Sequence, residues 1–145
     1  MKEEFNGFRW HDNAIHGVRL VESADGYSGD LMLDIDFIVE WLPPLEGSNE
    51  FRFHVAPADL CFQRVSKLVL ALDWTSSAAI FPPITIHEVR RDPVVTPNGE
   101  PSFEWRIETN HPPEGFISFR SAGYVQTERK PAVTTDQQHL SQAER

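Results

Sequence analysis

Cysteine is nearly absent from these 145 residues: Cys61 stands alone. An internal disulfide is therefore excluded, and a reducing compartment fits. Cys61 sits in the apolar stretch Leu60-Cys61-Phe62, without a nucleophile's usual partners, and reads as a small core residue. Basic residues are also few, 13 against 22 acids, for a net charge of −9. Lys and Arg are scattered singly, apart from Arg90-Arg91 and Arg129-Lys130. No concentrated basic face exists for phosphate contacts, so nucleic acid is not an expected partner. Long apolar runs are missing too. None approaches the roughly 20 residues that span a bilayer. The charged opening Met1-Lys2-Glu3-Glu4-Phe5 lacks the apolar core of a signal peptide. No membrane association is expected, and a cytoplasmic setting is. Nucleophile elbows, Gly-rich phosphate loops, His-Glu-x-x-His and Cys-x-x-Cys pairs are absent. No cofactor is implied.

What the chain does have is alternation. In "LMLDIDFIVEW", Leu33, Ile35, Phe37, Val39 and Trp41 point one way; Asp34, Asp36 and Glu40 point the other. Period two of this length predicts a strand with one face in a core. Pro43-Pro44 ends it. Strands are also predicted at Ala14 to Glu22, paired with the first through the turn-rich "SADGYSGD", and at "FRFHV", where Phe51, Phe53 and Val55 face in. "PITIHEV", "FEWRIET" and "GFISFRSAGYV" complete the set. In "FEWRIET", Phe103, Trp105, Ile107 and Thr109 share the inner face. The segment 57–74 matches two periods. Two short strands, Leu60 to Phe62 and Lys67 to Trp74, with a bend at Arg64 to Ser66, are preferred over a helix.

The fold expected is mainly β: an antiparallel sandwich or partly open barrel of roughly seven strands, with at most one helix. Residues 1–127 form the single domain. Residues 128–145 carry only Val133 and Leu140 as large apolar side chains and read as a mobile polar tail.

Two places invite chemistry. His11 and Asp12, in "WHDN", are adjacent as in metal hydrolases of the His-Asp dyad type. Asp12 and Asn13 also suit a turn in which Asp12 accepts backbone hydrogen bonds. Asp34 and Asp36, two apart on a strand, lie about 6.5–7 Å apart at Cα. They could hold a divalent cation, with Glu40 and His54 nearby, or form a solvated sheet face. His11, Asp12, Asp34 and Asp36 are thus the candidate metal residues, and the solvated-face and turn readings are preferred for them.

"WHDNAIHGVRL", followed by a hairpin into "GDLMLDIDFIVEW", resembles the opening of small uncharacterised bacterial all-β proteins that begin with an aromatic-His-Asp turn. Some domains with such an opening are immunity proteins of polymorphic toxin systems. The resemblance implies an all-β, non-enzymatic domain and transfers no catalytic residue. The expected function is a non-catalytic soluble binding or interaction module. Its partner would be a protein, basic if the chain is of the immunity type, and a homodimer is compatible with this. Two alternatives stay open: a metal-dependent hydrolase using His11, Asp12, Asp34 and Asp36, and a small-ligand-binding β-barrel lined by Trp and Phe.

Overall fold

The computed structural model describes residues 5–75 and 83–145. The charged residues 1–4 lie outside it. The expected mainly-β architecture is what the chain adopts. Eight antiparallel strands run in order: β1 (Ala14–Glu22), β2 (Gly29–Leu42), β3 (Arg52–Ala71), β4 (Ile84–Val95), β5 (Pro101–His111), β6 (Phe116–Ser121), β7 (Tyr124–Glu128) and β8 (Val133–Thr135). The one helical element among the described residues is a 3-10 turn, Gln142–Glu144. None of their helices is long and apolar enough to cross a membrane.

The strands pair in the order β2-β1-β4-β5-β6-β3, and β2 also pairs with β3, so the ladder closes into a ring. Two hairpins seed it. Between β1 and β2, Asp25 accepts the amides of Tyr27 and Ser28 at 2.8 and 2.9 Å, and Gly26 takes φ 75°. Between β4 and β5, Gly99 takes φ 78°. Both are turns that glycine enters without a Cβ penalty.

The segment read as two short strands is one, β3, bent in the middle. Arg64 and Lys67 adopt left-handed φ of 49° and 52°. The bend is pinned by Asp30, which accepts the Arg64 amide at 2.9 Å and the Ser23 hydroxyl. Those bonds, Ser23's first, hold the Asp30 carboxyl below its ordinary value. Beyond the bend, β3 leaves β2 and pairs with β6. A single antiparallel partner, residues 116–135, then follows β3 along its whole length as β6, β7 and β8.

Among the described residues, β1 and β4 are joined by two residue pairs, Ala14↔Thr85 and Ile15↔Ile84. The "WHDN" turn fills the gap. Asp12 donates its amide to the Ile86 carbonyl, Ile86 donates to Asn13, and Val89 donates to Gly7, at 2.7 to 3.0 Å. A Cβ at Gly7 would collide with the Val89 carbonyl oxygen, so this close approach needs glycine.

The ring interior holds Trp10, Leu33, Ile35, Leu60, Phe62, Ile86, Trp105, Ile107, Ile117 and Phe119, all essentially without solvent exposure. Each such side chain contributes about 1.5–3 kcal/mol by burial. The rings meet edge to face: Phe62 lies 4.6 Å from Phe119 and 5.0 Å from Trp105. Trp10 donates its indole N–H to Gln126 at 2.8 Å, and Trp105 donates to the Ser121 carbonyl at 2.9 Å.

The expected faces of β2 need correction. Leu33, Ile35 and Phe37 do turn inward. The register with β3 then slips between Ile38 and Glu40. One extra residue reverses the phase, so Trp41 lies on the outer face and Val39 and Trp41 are half exposed. Phe53 and Val55 are buried as expected, but on the outer face. There they form a second small core with Ile38 and Leu140.

Residues 128–145 also depart from expectation. Val133 enters β8 against Val55, Leu140 is buried in the second core, and the segment lies across the outer face of β1, β2 and β3. Arg129, Gln138 and Arg145 of the same segment add bonds to Asp34, Asp59, Asp12 and Asp36, so its ordering does not rest on apolar burial alone.

Candidate functional site

The outer face of β1–β2–β3 gathers the acidic row noted in the sequence. Asp34 stands directly opposite Asp59 on β3, and Asp36 opposite Pro57. Like charges directly across a ladder are destabilising unless a cation joins them. Arg129, just past β7, does this: its two Nη atoms donate to Asp59 at 2.6 Å and to Asp34 at 2.8 Å. Arg145 reaches the same row and donates to both Asp34 and Asp36.

Asp36 was expected on a solvated face. It is fully buried instead. It lies on the non-core face of the sheet, but the segment around Leu140 covers it. Its carboxylate is correspondingly well satisfied. His16 Nε2 lies 2.6 Å from Oδ2, the Leu140 amide donates to the same oxygen at 2.8 Å, and Arg145 takes Oδ1. His16 reaches Asp36 because a register slip in β1 between Ile15 and Gly17 turns its side chain toward that face. Beside the row lies a hollow of about 460 Å³, lined by Gly17, Arg19, Asp34, Asp59, Arg129 and Arg145. Farther along the same face, Trp41 packs on Phe53 at 4.9 Å and on Phe51 at 6.3 Å. Trp41 and Phe51 are each about half exposed, at 47% and 52%.

Partial burial opposes ionisation of Asp34, but the bonds from Arg145 and Arg129 outweigh it and hold the carboxyl below its ordinary 3.8. A carboxyl lowered by folding stabilises the fold above its unfolded value and loses that contribution as pH falls through the folded value. Unfolding followed from pH 7 to pH 2 is therefore expected to show stability declining below about pH 4. Asp34→Asn should flatten part of that decline. An unchanged profile in the variant would show that Asp34 gains nothing from its two arginines.

His11 and Asp12 lie elsewhere, on the turn that closes the ring. Asp12 takes φ 63°. Its carboxylate was expected to accept backbone amides. It accepts side-chain amides instead, from Asn110 at 3.1 Å and Gln138 at 3.2 Å. His11 sits 3.4 Å from Asp12 and bonds the His87 carbonyl at 2.6 Å. Thus Asp34 and Asp36 are brought together, as are His11 and Asp12. The four do not form one donor set. Among the described residues, the three-donor group with metal-ligand spacing is His87, Glu88 and Glu108.

His16, Asp59, Arg129 and Arg145 escaped the sequence reading. The opposition of Asp34 and Asp59 follows from register alone, which no local pattern reveals. Arg129 had a signal: it is one of few cations in an acidic chain. Comparison of the chain with protein-family models, curated proteins and solved structures finds no match. The class is therefore set by the fold and this face: a ring-closed antiparallel β protein with an acidic, partly aromatic outer surface.

Proposed function

We propose that this protein is a non-catalytic interaction module that binds a basic segment of a protein partner on the outer face of β1–β2–β3. One observation carries the reading: the row Asp34, Asp36 and Asp59 takes up two guanidinium groups while the adjacent apolar positions take up Leu140. The chain's own segment thereby displays the chemistry this face accepts. Exposed Trp41 and Phe51 extend the apolar part, as rigid aromatic anchors do in interfaces. A net charge of −9 steers a basic partner toward it. An immunity-type role, in a cytoplasmic setting, is the form of this reading that the opening's resemblance suggests. The Trp and Phe side chains that a ligand cavity would need for its lining are packed on one another, which disfavours a ligand barrel.

The test uses the chain shortened after residue 135 and a labelled peptide of residues 136–145. Fluorescence anisotropy should show saturable binding to the shortened chain and far weaker binding to the full chain, whose face is occupied. A peptide keeping only the Leu-to-Arg spacing should also bind, and the peptide with Arg145→Ala should lose most affinity. Binding that survives Asp36→Asn, or no binding at all, would sink the proposal. If the shortened chain does not fold, the full chain with Arg145→Ala replaces it, and the intact peptide should then bind that variant better than the wild type.

A further inference from the structure

Away from that face, β4 and β5 carry an arrangement the proposed function does not use. Glu88 and Glu108 stand directly opposite each other in the ladder. Two glutamates so placed repel unless a cation joins them, and here Arg90 lies within 3.5 Å of both. The register slips between Ile86 and Glu88, which leaves His87 as the inserted residue. Such a bulge re-aims a side chain. Here it sets the His87 imidazole beside both carboxylates, and one donor atom from each of the three residues lies within 4.8 Å of the other two. His87 is exposed, and the two glutamates are half buried. A hollow of about 460 Å³ opens beside them, bordered by His87, Glu108, Asn110 and Glu114.

We infer that His87, Glu88 and Glu108 form a binding site for a divalent transition-metal ion. One imidazole and two carboxylates are the donor types that Zn²⁺ and Mn²⁺ accept, whereas Mg²⁺ prefers oxygen and water alone. The adjoining hollow leaves room for water to complete the coordination. The bond from His11 to the His87 carbonyl holds the bulge in place. The metal's rivals are two arginines. Arg90 lies 3.3 Å from Glu88 and 3.5 Å from Glu108, and Arg106 lies 3.5 Å from Glu108. Both are about half exposed, at 59% and 48% of the side chain, so each can swing into solvent when a dication takes its place.

This inference is independent of the peptide-binding reading, because the residues lie on other strands. The experiment is a calorimetric titration of the full chain with ZnCl₂ at neutral pH. One equivalent is expected to bind. Glu108→Gln and His87→Ala should each weaken binding by roughly tenfold or more, the scale seen when a metal site loses a supporting group. Arg90→Ala should tighten it, because a competing cation is gone. A stray surface histidine would bind Zn²⁺ without regard to Glu108 or Arg90. MgCl₂ should give no comparable heat. Absence of Zn²⁺ binding overturns the inference, as does binding that Glu108→Gln leaves unchanged in a variant whose circular dichroism matches the wild type.

Discussion

Asp36→Ala is expected to cost roughly 3–5 kcal/mol in a urea-unfolding experiment, the range for removing one partner of a buried, hydrogen-bonded ion pair. The substitution strands His16 and the Leu140 amide and leaves Arg145 with Asp34 alone. It also loosens the cover on Ile38, Phe53 and Val55. A double-mutant cycle with Arg145→Ala should show coupling of about 0.5–3 kcal/mol, as for residues within one network. A cost below about 1 kcal/mol, the level of an ordinary surface change, would mean that residues 136–145 do not lie on this face in solution.

Trp105→Ala is expected to cost a similar amount, roughly 3–5 kcal/mol, by loss of burial and the cavity left behind. The indole is fully buried and is surrounded by Phe5, Phe62, Phe103, Phe119 and Tyr124. Its N–H also satisfies the Ser121 carbonyl, an acceptor that the variant leaves in need of a donor. Trp105→Phe should recover much of the loss, because most of the ring volume returns. Natural domains hold only about 5–15 kcal/mol in all, so the alanine variant should be near the limit of folding at 37 °C. A midpoint close to wild type would show that Trp105 and the five rings around it are not one packed unit.

The two substitutions differ in how much the sequence revealed. Trp105 was legible, because the alternation Phe103, Trp105, Ile107, Thr109 is uninterrupted and all four turn inward. So was β2 as far as Phe37. Beyond it the pattern still reads apolar at Val39 and Trp41, but one inserted residue moves Trp41 to the other side. A bulge leaves no mark in hydrophobicity when both faces carry apolar residues. Asp36 was illegible for a different reason. Alternation assigned it correctly to the non-core face, but that face has a second covering layer. The cover is residues 136–145, whose polar composition gives no sign of docking. Its attachment rests on Gln138, Leu140 and Arg145 meeting positions on the turn at Asp12 and on β2 and β3 that are far away in the chain.

The long partnership of β3 with residues 116–135 sets the pace at which this molecule can assemble. The β1–β2 and β4–β5 hairpins join neighbours in the chain and can form within microseconds. β3 cannot finish so quickly: Phe53 must find Thr135, and Ala71 must find Phe116. Until residues 116–135 arrive, one edge of the longest strand stays open to other chains. Pairings of such wide separation place folding in about the millisecond-to-second range typical of all-β domains. During synthesis, that edge has no partner until residues 116–135 have been made.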